Sequence, residues 1–283
     1  MPLVTSKEVL TKAQREGYAV GAFNANNLEY VQAIIDAAEE EKAPVILQAS
    51  QGAINYAGLD MIVAMVRTAA EKATVPVVLH LDHGTSYEQN VRCLRAGFTS
   101  LMFDGSKLPY EENAAITKRI VEMAHVVGVP VEAELGQVPT AGNITWEDVE
   151  ALMTDPEEAK RFVEETGVDF LAVAVGSVHK MTAQAAKIDV ERTKKIAELT
   201  GVPLVLHGAS GVTDDGYKEG IKAGICKINI ATELNKAFTK GMHDALAKKP
   251  DEIDPRRIVG VGRQYVKEAV KAKMRLFGCS GKA

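Results

Sequence analysis

Short apolar runs rich in Val, Ile, Leu and Ala recur along the chain, separated by longer stretches with helical spacing. Residues 1–17 place Val9, Leu10 and Ala13 on one helical stripe, with Thr5 or Ser6 as N-cap and Gly17 as the stop. Residues 18–23 then read as a strand ending at Asn24, and Leu28, Val31, Ile34, Ile35 and Ala38 as one face of a helix. Further strands are predicted over 44–47, 75–79, 100–104, 129–134, 170–175, 202–207 and 226–230. Helices are predicted over about 59–72, 110–127 and 156–166, from Tyr87 through Val91 and Leu94, between the last strands, and as a final pair ending near Phe277. A polar excursion, 135–155, carries Pro139, Gly142 and the only tryptophan, Trp146. The phrase Val-Pro opens three strands, at 75–76, 129–130 and 202–203, each time just after a helix stop.

Eight strands alternating with helices predict an α/β fold, a (β/α)8 TIM barrel with an N-terminal helix and extra C-terminal helices. The length of 283 residues suits one such domain, 1–283. A doubly wound open sheet is the alternative, but no G-x-G-x-x-G follows the first strand. The Gly-Val-Gly-Arg-Gln at Gly260 follows no strand and reads as a helix-entry turn.

Composition narrows the function classes. The chain is 46% hydrophobic and 25% charged, the profile of an ordinary globular protein. A formal net charge of -5 and the lack of a long basic run argue against nucleic acid or an anionic membrane as partner. Cys93, Cys226 and Cys279 are too few and too scattered for a disulfide framework, which suits a reducing cytoplasm. No signal-peptide core is visible at the start, and no apolar run approaches the roughly 20 residues of a membrane span. A cytoplasmic location is expected.

In a barrel of this kind, chemistry sits at the carboxyl ends of the strands. Here those ends are Asn24, Ser50, Asp82-His83, Asp104, Glu134, His179, His207 and Asn229. An Asp beside a His can be a merely structural pair, but three imidazoles and three carboxylates on one rim would have to be desolvated together. His83, His179 and His207 can bind a divalent metal and leave a position open, with zinc as first choice. His80, two residues before Asp82, reads as a hydrogen-bonded core histidine, and His125 and His243 as ordinary helix residues. Two turns, Gly208-Ala209-Ser210-Gly211 and Asn229-Ile230-Ala231-Thr232, follow the last two strands and lead into helices. Backbone N–H groups there form an anion cradle where barrels commonly hold phosphate.

With these residues in place the sequence resembles the class II, metal-dependent ketose-bisphosphate aldolases. The matching phrases, in order, are GAFNANN (21–27), QAS (48–50), HLDHG (80–84), SLMFDGS (100–106), VEAELG (131–136), GSVH (176–179), LHGASG (206–211), KINIATEL (227–234) and LFGCSGKA (276–283). The resemblance implies reversible cleavage of fructose 1,6-bisphosphate to dihydroxyacetone phosphate and glyceraldehyde 3-phosphate. It implies Zn2+ on His83, His179 and His207, a second divalent metal at Asp104 and Glu134, and a place for a monovalent cation. Asp82 would donate and accept the hydroxyl proton, Asn229 would steady the enediolate, and Ser50 would touch the aldehyde, with Asn24 also binding substrate. Gly208 to Gly211 and Asn229 to Thr232 would hold dihydroxyacetone phosphate. A homodimer or homotetramer is the implied assembly.

Two departures touch specificity. The family usually has glycine after the strand-six histidine and a tyrosine two residues later, whereas this chain has His179-Lys180-Met181-Thr182. The family loop after E-L-G usually carries G-G-x-E-D, whose glutamate is thought to take the C–H proton. This chain's loop instead reaches Glu147, which either replaces that base or leaves it to another group. Lys180 either contacts a substrate phosphate or points into solvent. Tagatose 1,6-bisphosphate or another phosphorylated ketose therefore stays open as substrate. A zinc hydrolase on the same barrel and a catalytically silent binding protein are the readings from other classes.

Overall fold

Thr5 caps the first helix, α1 (Ser6–Glu16), and its N–H donates to Glu8 Oε1 at 3.0 Å. Gly17, at φ 70, takes the left-handed conformation that ends it. The chain continues through β1 (Val20–Asn24), α2 (Leu28–Glu41), β2 (Val45–Ser50), α3 (Gln51–Ala57), α4 (Leu59–Lys72) and β3 (Val77–Asp82). Next come α5 (Tyr87–Ala96), β4 (Leu101–Phe103), α6 (Tyr110–His125) and β5 (Val131–Leu135). Two helices, α7 (Trp146–Ala151) and α8 (Pro156–Thr166), precede β6 (Phe170–Val173) and α9 (Val190–Thr200). The chain closes with β7 (Leu204–Leu206), a 3-10 turn (Ala209–Gly211), α10 (Asp214–Lys222), β8 (Ile225–Ile230), α11 (Thr232–Lys248) and α12 (Pro255–Leu276). This computed structural model describes residues 3–142, 144–181 and 185–283.

The strands pair in parallel in the order β3-β2-β1-β8-β7-β6-β5-β4. The ring closes where β3 meets the start of β4: His80 bridges Ser100, and Leu81 N–H donates to Ser100 O at 3.1 Å. The expected barrel is therefore what forms, and closure rules out the open doubly wound sheet. In a strand, alternate residues share a face. This puts polar residues two apart on one face of several strands, Gln48 with Ser50, His80 with Asp82, Glu132 with Glu134 and Lys227 with Asn229, and those of β2 and β3 stand directly opposite one another. The upper member of each pair lies at the carboxyl rim and the lower one inside the barrel.

Several boundaries differ from the sequence reading, each for a local reason. β3 runs on to Asp82, because its polar inward residues interrupt the apolar pattern and not the ladder. Conversely, β6 stops at Val173, before Gly176, where φ is 110 and a Cβ would lie 2.2 Å from Lys187 O. α3 was not expected; it starts directly from β2, with Ser50 Oγ accepting from Ala53 N–H at 3.3 Å. On α5, Gln89, Asn90 and Cys93 are buried while Val91 faces solvent. Gln89 Oε1 accepts from Thr85 N–H at 2.9 Å, so this inward face braces the turn after β3. Gly260 and Gly262 lie inside α12 and form no entry turn. Gly262 is the crossing point with α11, where a Cβ on Gly241 would lie 2.7 Å from Gly262 Cα. Among the described residues no helix is long and apolar enough to cross a membrane.

Candidate active site

The centre of the rim is Asp82, which is 5% exposed. Asn24 Nδ2 donates to its Oδ2 at 2.7 Å and Asn229 Nδ2 to its Oδ1 at 3.2 Å. Gln48 Nε2 in turn donates to Asn24 Oδ1 at 2.8 Å, which fixes the orientation of the Asn24 amide. Ser50 lies opposite Asp82 in the ladder and is half-buried. Amide donors on both oxygens hold a carboxylate in place while leaving further lone-pair positions open to a substrate hydroxyl.

His83 leaves the strand with φ 50, a conformation side chains rarely adopt. The next residue must be glycine, since a Cβ on Gly84 would lie 2.1 Å from Met102 O. The turn aims His83 Nδ1 at Asp104 Oδ2, 2.8 Å away, and Asp104 Oδ1 accepts from the Ser106 hydroxyl at 2.7 Å. His83 Nε2 then faces His207 Nδ1 at 2.9 Å. His179 completes the group, its ring centroid 5.4 Å from that of His83. The ligand atoms of His83, His179 and His207 lie within 4.8 Å of one another, as do those of His83, Asp104 and Glu134. The two sets share His83. His80 belongs to neither: it is buried, with Nδ1 2.7 Å from Ser100 Oγ, as expected of a core histidine.

The electrostatics favour one added positive charge here. Burial opposes a charge on His83, but Asp82, Asp104 and Glu134 outweigh it and raise its pKa to about 10. Burial, with the neighbouring Asp104 charge, pushes Glu134 up to about 8. Burial and the His83 charge bring His179 down to about 4, and the same causes hold His207 well below its ordinary value. For Asp104, burial is outweighed by His83 and Ser106, which lower it. Two imidazole lone pairs 2.9 Å apart repel unless a proton or a metal cation lies between them. Among the described residues Glu134 Oε2 is buried without a hydrogen-bond partner, 3.7 Å from His83 Nδ1 and 3.8 Å from His207 Nδ1. Three imidazoles and adjacent carboxylates, one of them orphaned, fit a divalent cation.

Beside this cluster opens a cavity of about 490 Å³, lined in part by His83, Asp104, Glu134, Thr140 and His179. The two glycine-bearing turns border the same rim. Gly208 has φ 61, and a Cβ there would lie 2.9 Å from His179 N. Ala231 offers no side-chain cap to α11, so the first-turn N–H groups of that helix remain for an anion. Lys180 is exposed and has φ 58, so the backbone keeps the turn that a glycine would make, without the glycine. Glu147 lies exposed in the first turn of α7 and shares no hydrogen bond or ion pair with the histidine cluster among the described residues. Thr182 lies outside the described residues. Sequence reasoning singles out neither Gln48 nor Glu132, and Lys227 only as a strand-end lysine that imine chemistry would use, although each stands two positions before a rim residue. That spacing was the available signal.

A closed parallel barrel with this cluster at the carboxyl ends of its strands has the build of a metal-dependent barrel enzyme. The family model described as fructose-bisphosphate aldolase class-II matches residues 4–282. A fructose-bisphosphate aldolase of Geobacillus stearothermophilus is 49% identical, covering 100% of this chain and 99% of its own. One of Thermus caldophilus is 47% identical over 99% of this chain and 100% of its own. The crystal structure of the YdjI aldolase from Escherichia coli K12 superposes with a TM-score of 0.88, at 38% identity and 99% coverage of both chains. The chain belongs to the class-II fructose-bisphosphate aldolase family.

Proposed function

We propose that the chain reversibly cleaves fructose 1,6-bisphosphate to dihydroxyacetone phosphate and glyceraldehyde 3-phosphate. The proposal assigns Zn2+ to His83, His179 and His207, and a second divalent ion to Asp104 and Glu134, with a monovalent cation as an accessory. The observation that carries this reading is the 2.9 Å approach of His83 Nε2 to His207 Nδ1, on the same rim as an Asp82 oriented by two amides. When bound there, the divalent ion supplies a Lewis acid for the ketone oxygen.

In the cleavage direction, Asp82 removes the C4 hydroxyl proton as the C3–C4 bond breaks, and the C4 oxygen becomes the aldehyde. The bonding electron pair stays with the three-carbon fragment as an enediolate, which is then protonated at C3. Asn229 is assigned to steady that fragment; its Oδ1 is buried without a partner among the described residues. Asn24 and Ser50 border the aldehyde side. Gly208, Ala209, Ser210 and Gly211, with Asn229, Ile230, Ala231 and Thr232, receive one phosphate through backbone N–H groups. Lys180 is assigned to the other phosphate and Glu147 to the C3 proton. The active form is read as a cytoplasmic homodimer or homotetramer of one domain, 1–283, with neither nucleic acid nor membrane as partner.

A coupled assay for triose phosphate, run on both C4 epimers, tests the proposal. Faster release from fructose 1,6-bisphosphate is expected; faster release from tagatose 1,6-bisphosphate would reassign the C4 preference. No release of dihydroxyacetone phosphate from either would overturn both bisphosphates as substrates and leave another phosphorylated ketose or the hydrolase reading.

Two variants separate the two departing positions. A phosphate contact made equally in ground and transition states moves KM, whereas a proton-transfer group moves kcat. Lys180→Ala is therefore expected to raise KM about tenfold with kcat nearly kept. Unchanged constants would make the lysine a bystander. Glu147→Gln is expected to lower kcat by roughly 10²-fold or more with KM nearly kept. Wild-type turnover in that variant would remove Glu147 from the chemistry.

A further inference from the structure

One layer below the rim, a buried polar relay crosses the barrel interior. Lys227 Nζ donates to Glu132 Oε2 at 2.7 Å, and Glu132 Oε1 lies 2.9 Å from His207 Nε2. Lys227 Nζ also lies 3.1 Å from His80 Nε2. His80 Nδ1 meets Ser100 Oγ at 2.7 Å, and the Ser6 hydroxyl of α1 donates to that oxygen at 2.7 Å. Lys227 is 1% exposed and Glu132 fully buried. Desolvating such a pair costs about as much as its attraction returns, and apolar replacements of similar volume are often neutral or better. Stability alone therefore does not account for it.

What the pair does to His207 is more specific. Lys227 donates to Glu132 Oε2, so the carboxylate presents Oε1 to His207 as an acceptor, and the proton between them sits on His207 Nε2. That leaves the Nδ1 lone pair directed at His83 Nε2, toward the proposed metal position. Asn229 pulls the other way, since its Nδ2 donor lies 3.2 Å from the same His207 Nε2. The carboxylate is closer and charged, and it prevails.

Resting on the metal reading above, we propose that Glu132, held in place by Lys227, is a positioning residue that fixes His207 as the Nε2–H tautomer. Lys227 acts at one remove: its hydrogen bond fixes the orientation of the Glu132 carboxylate and, through His80 and Ser100, ties it to α1. Such outer partners of metal-binding histidines commonly set affinity by about 10- to 100-fold.

The test uses the full-length chain, metal-free and with isotopically labelled histidine. Nitrogen chemical shifts report the His207 tautomer directly, and chelator competition gives the Zn2+ affinity. Glu132→Gln keeps the volume but can turn an amide N–H toward His207. It is expected to shift His207 toward the Nδ1–H tautomer and to weaken Zn2+ binding roughly 10- to 100-fold. Because that variant strands the Lys227 charge, Glu132→Gln combined with Lys227→Met provides a neutral counterpart. The double variant is expected to fold, with a metal-free Tm no lower than that of Glu132→Gln, and still to bind Zn2+ roughly 10- to 100-fold more weakly than wild type. A folded double variant with wild-type Zn2+ affinity and an unchanged tautomer would overturn the proposal and leave the pair purely structural. A wild-type chain that fails to bind Zn2+ would overturn the metal reading instead, and the tautomer signal would still decide this one.

Discussion

Replacing Asp82 with asparagine is expected to lower kcat by roughly 10²–10⁴-fold while the bound metal is retained. The substitution keeps the size of the side chain but removes the carboxylate proposed to take the C4 hydroxyl proton. It also disturbs the local hydrogen bonding in a defined way. Both oxygens of Asp82 now accept from amide donors, Asn24 Nδ2 and Asn229 Nδ2. An asparagine at 82 must turn its own NH2 toward one of them, so one donor loses its acceptor. Gln48 holds the Asn24 amide in orientation, which leaves the Asn229 side as the one that gives. Turnover and metal content measured on the same preparation check this. Metal lost together with activity would make Asp82 a support for His83, whose Nε2 lies 3.9 Å from Asp82 Oδ1.

The eight strands were legible because parallel strands buried on both faces read as continuous β-branched runs. Val77, Val78 and Leu79 mark β3 this way, and Val131 marks the start of β5. The rim was legible for the complementary reason: Asp82, Glu134, His207 and Asn229 are polar residues where an apolar run stops. What stayed hidden lies inside the runs. Glu132 and Lys227 are single charges within short strands, and the two-residue step to Glu134 and Asn229 is what shows that they point inward. His80 was read correctly by that same step from Asp82. α3 was missed because it follows β2 without a loop, and Gly52 early in it weakens the helical signal. The inner face of α5 was legible in part: Tyr87 and Leu94 pack against the core, but Gln89 and Asn90 are buried to satisfy a turn, a demand that apolar periodicity does not register. At Lys180 the sequence showed a missing glycine, whereas the backbone shows the glycine conformation retained at φ 58.

The second large effect concerns the metal. With a chelator present, cleavage is expected to fall by about 10³-fold or more, as losing several kcal/mol of transition-state stabilisation would require. The alternative way to stabilise the carbanion is an imine on a lysine. Lys227 is poorly placed for it, being buried and committed to Glu132 and His80 below the histidine cluster. Lys180 is exposed, but its assigned work is a phosphate contact.

The most direct test of the account follows triose phosphate release from fructose 1,6-bisphosphate in three states of one preparation: as purified, chelated, and chelated then resupplied with Zn2+, each with a parallel borohydride treatment. The account predicts activity, loss and recovery in that order, with no substrate trapped covalently on the protein. Undiminished cleavage after chelation, with substrate fixed to a lysine by borohydride, would contradict it.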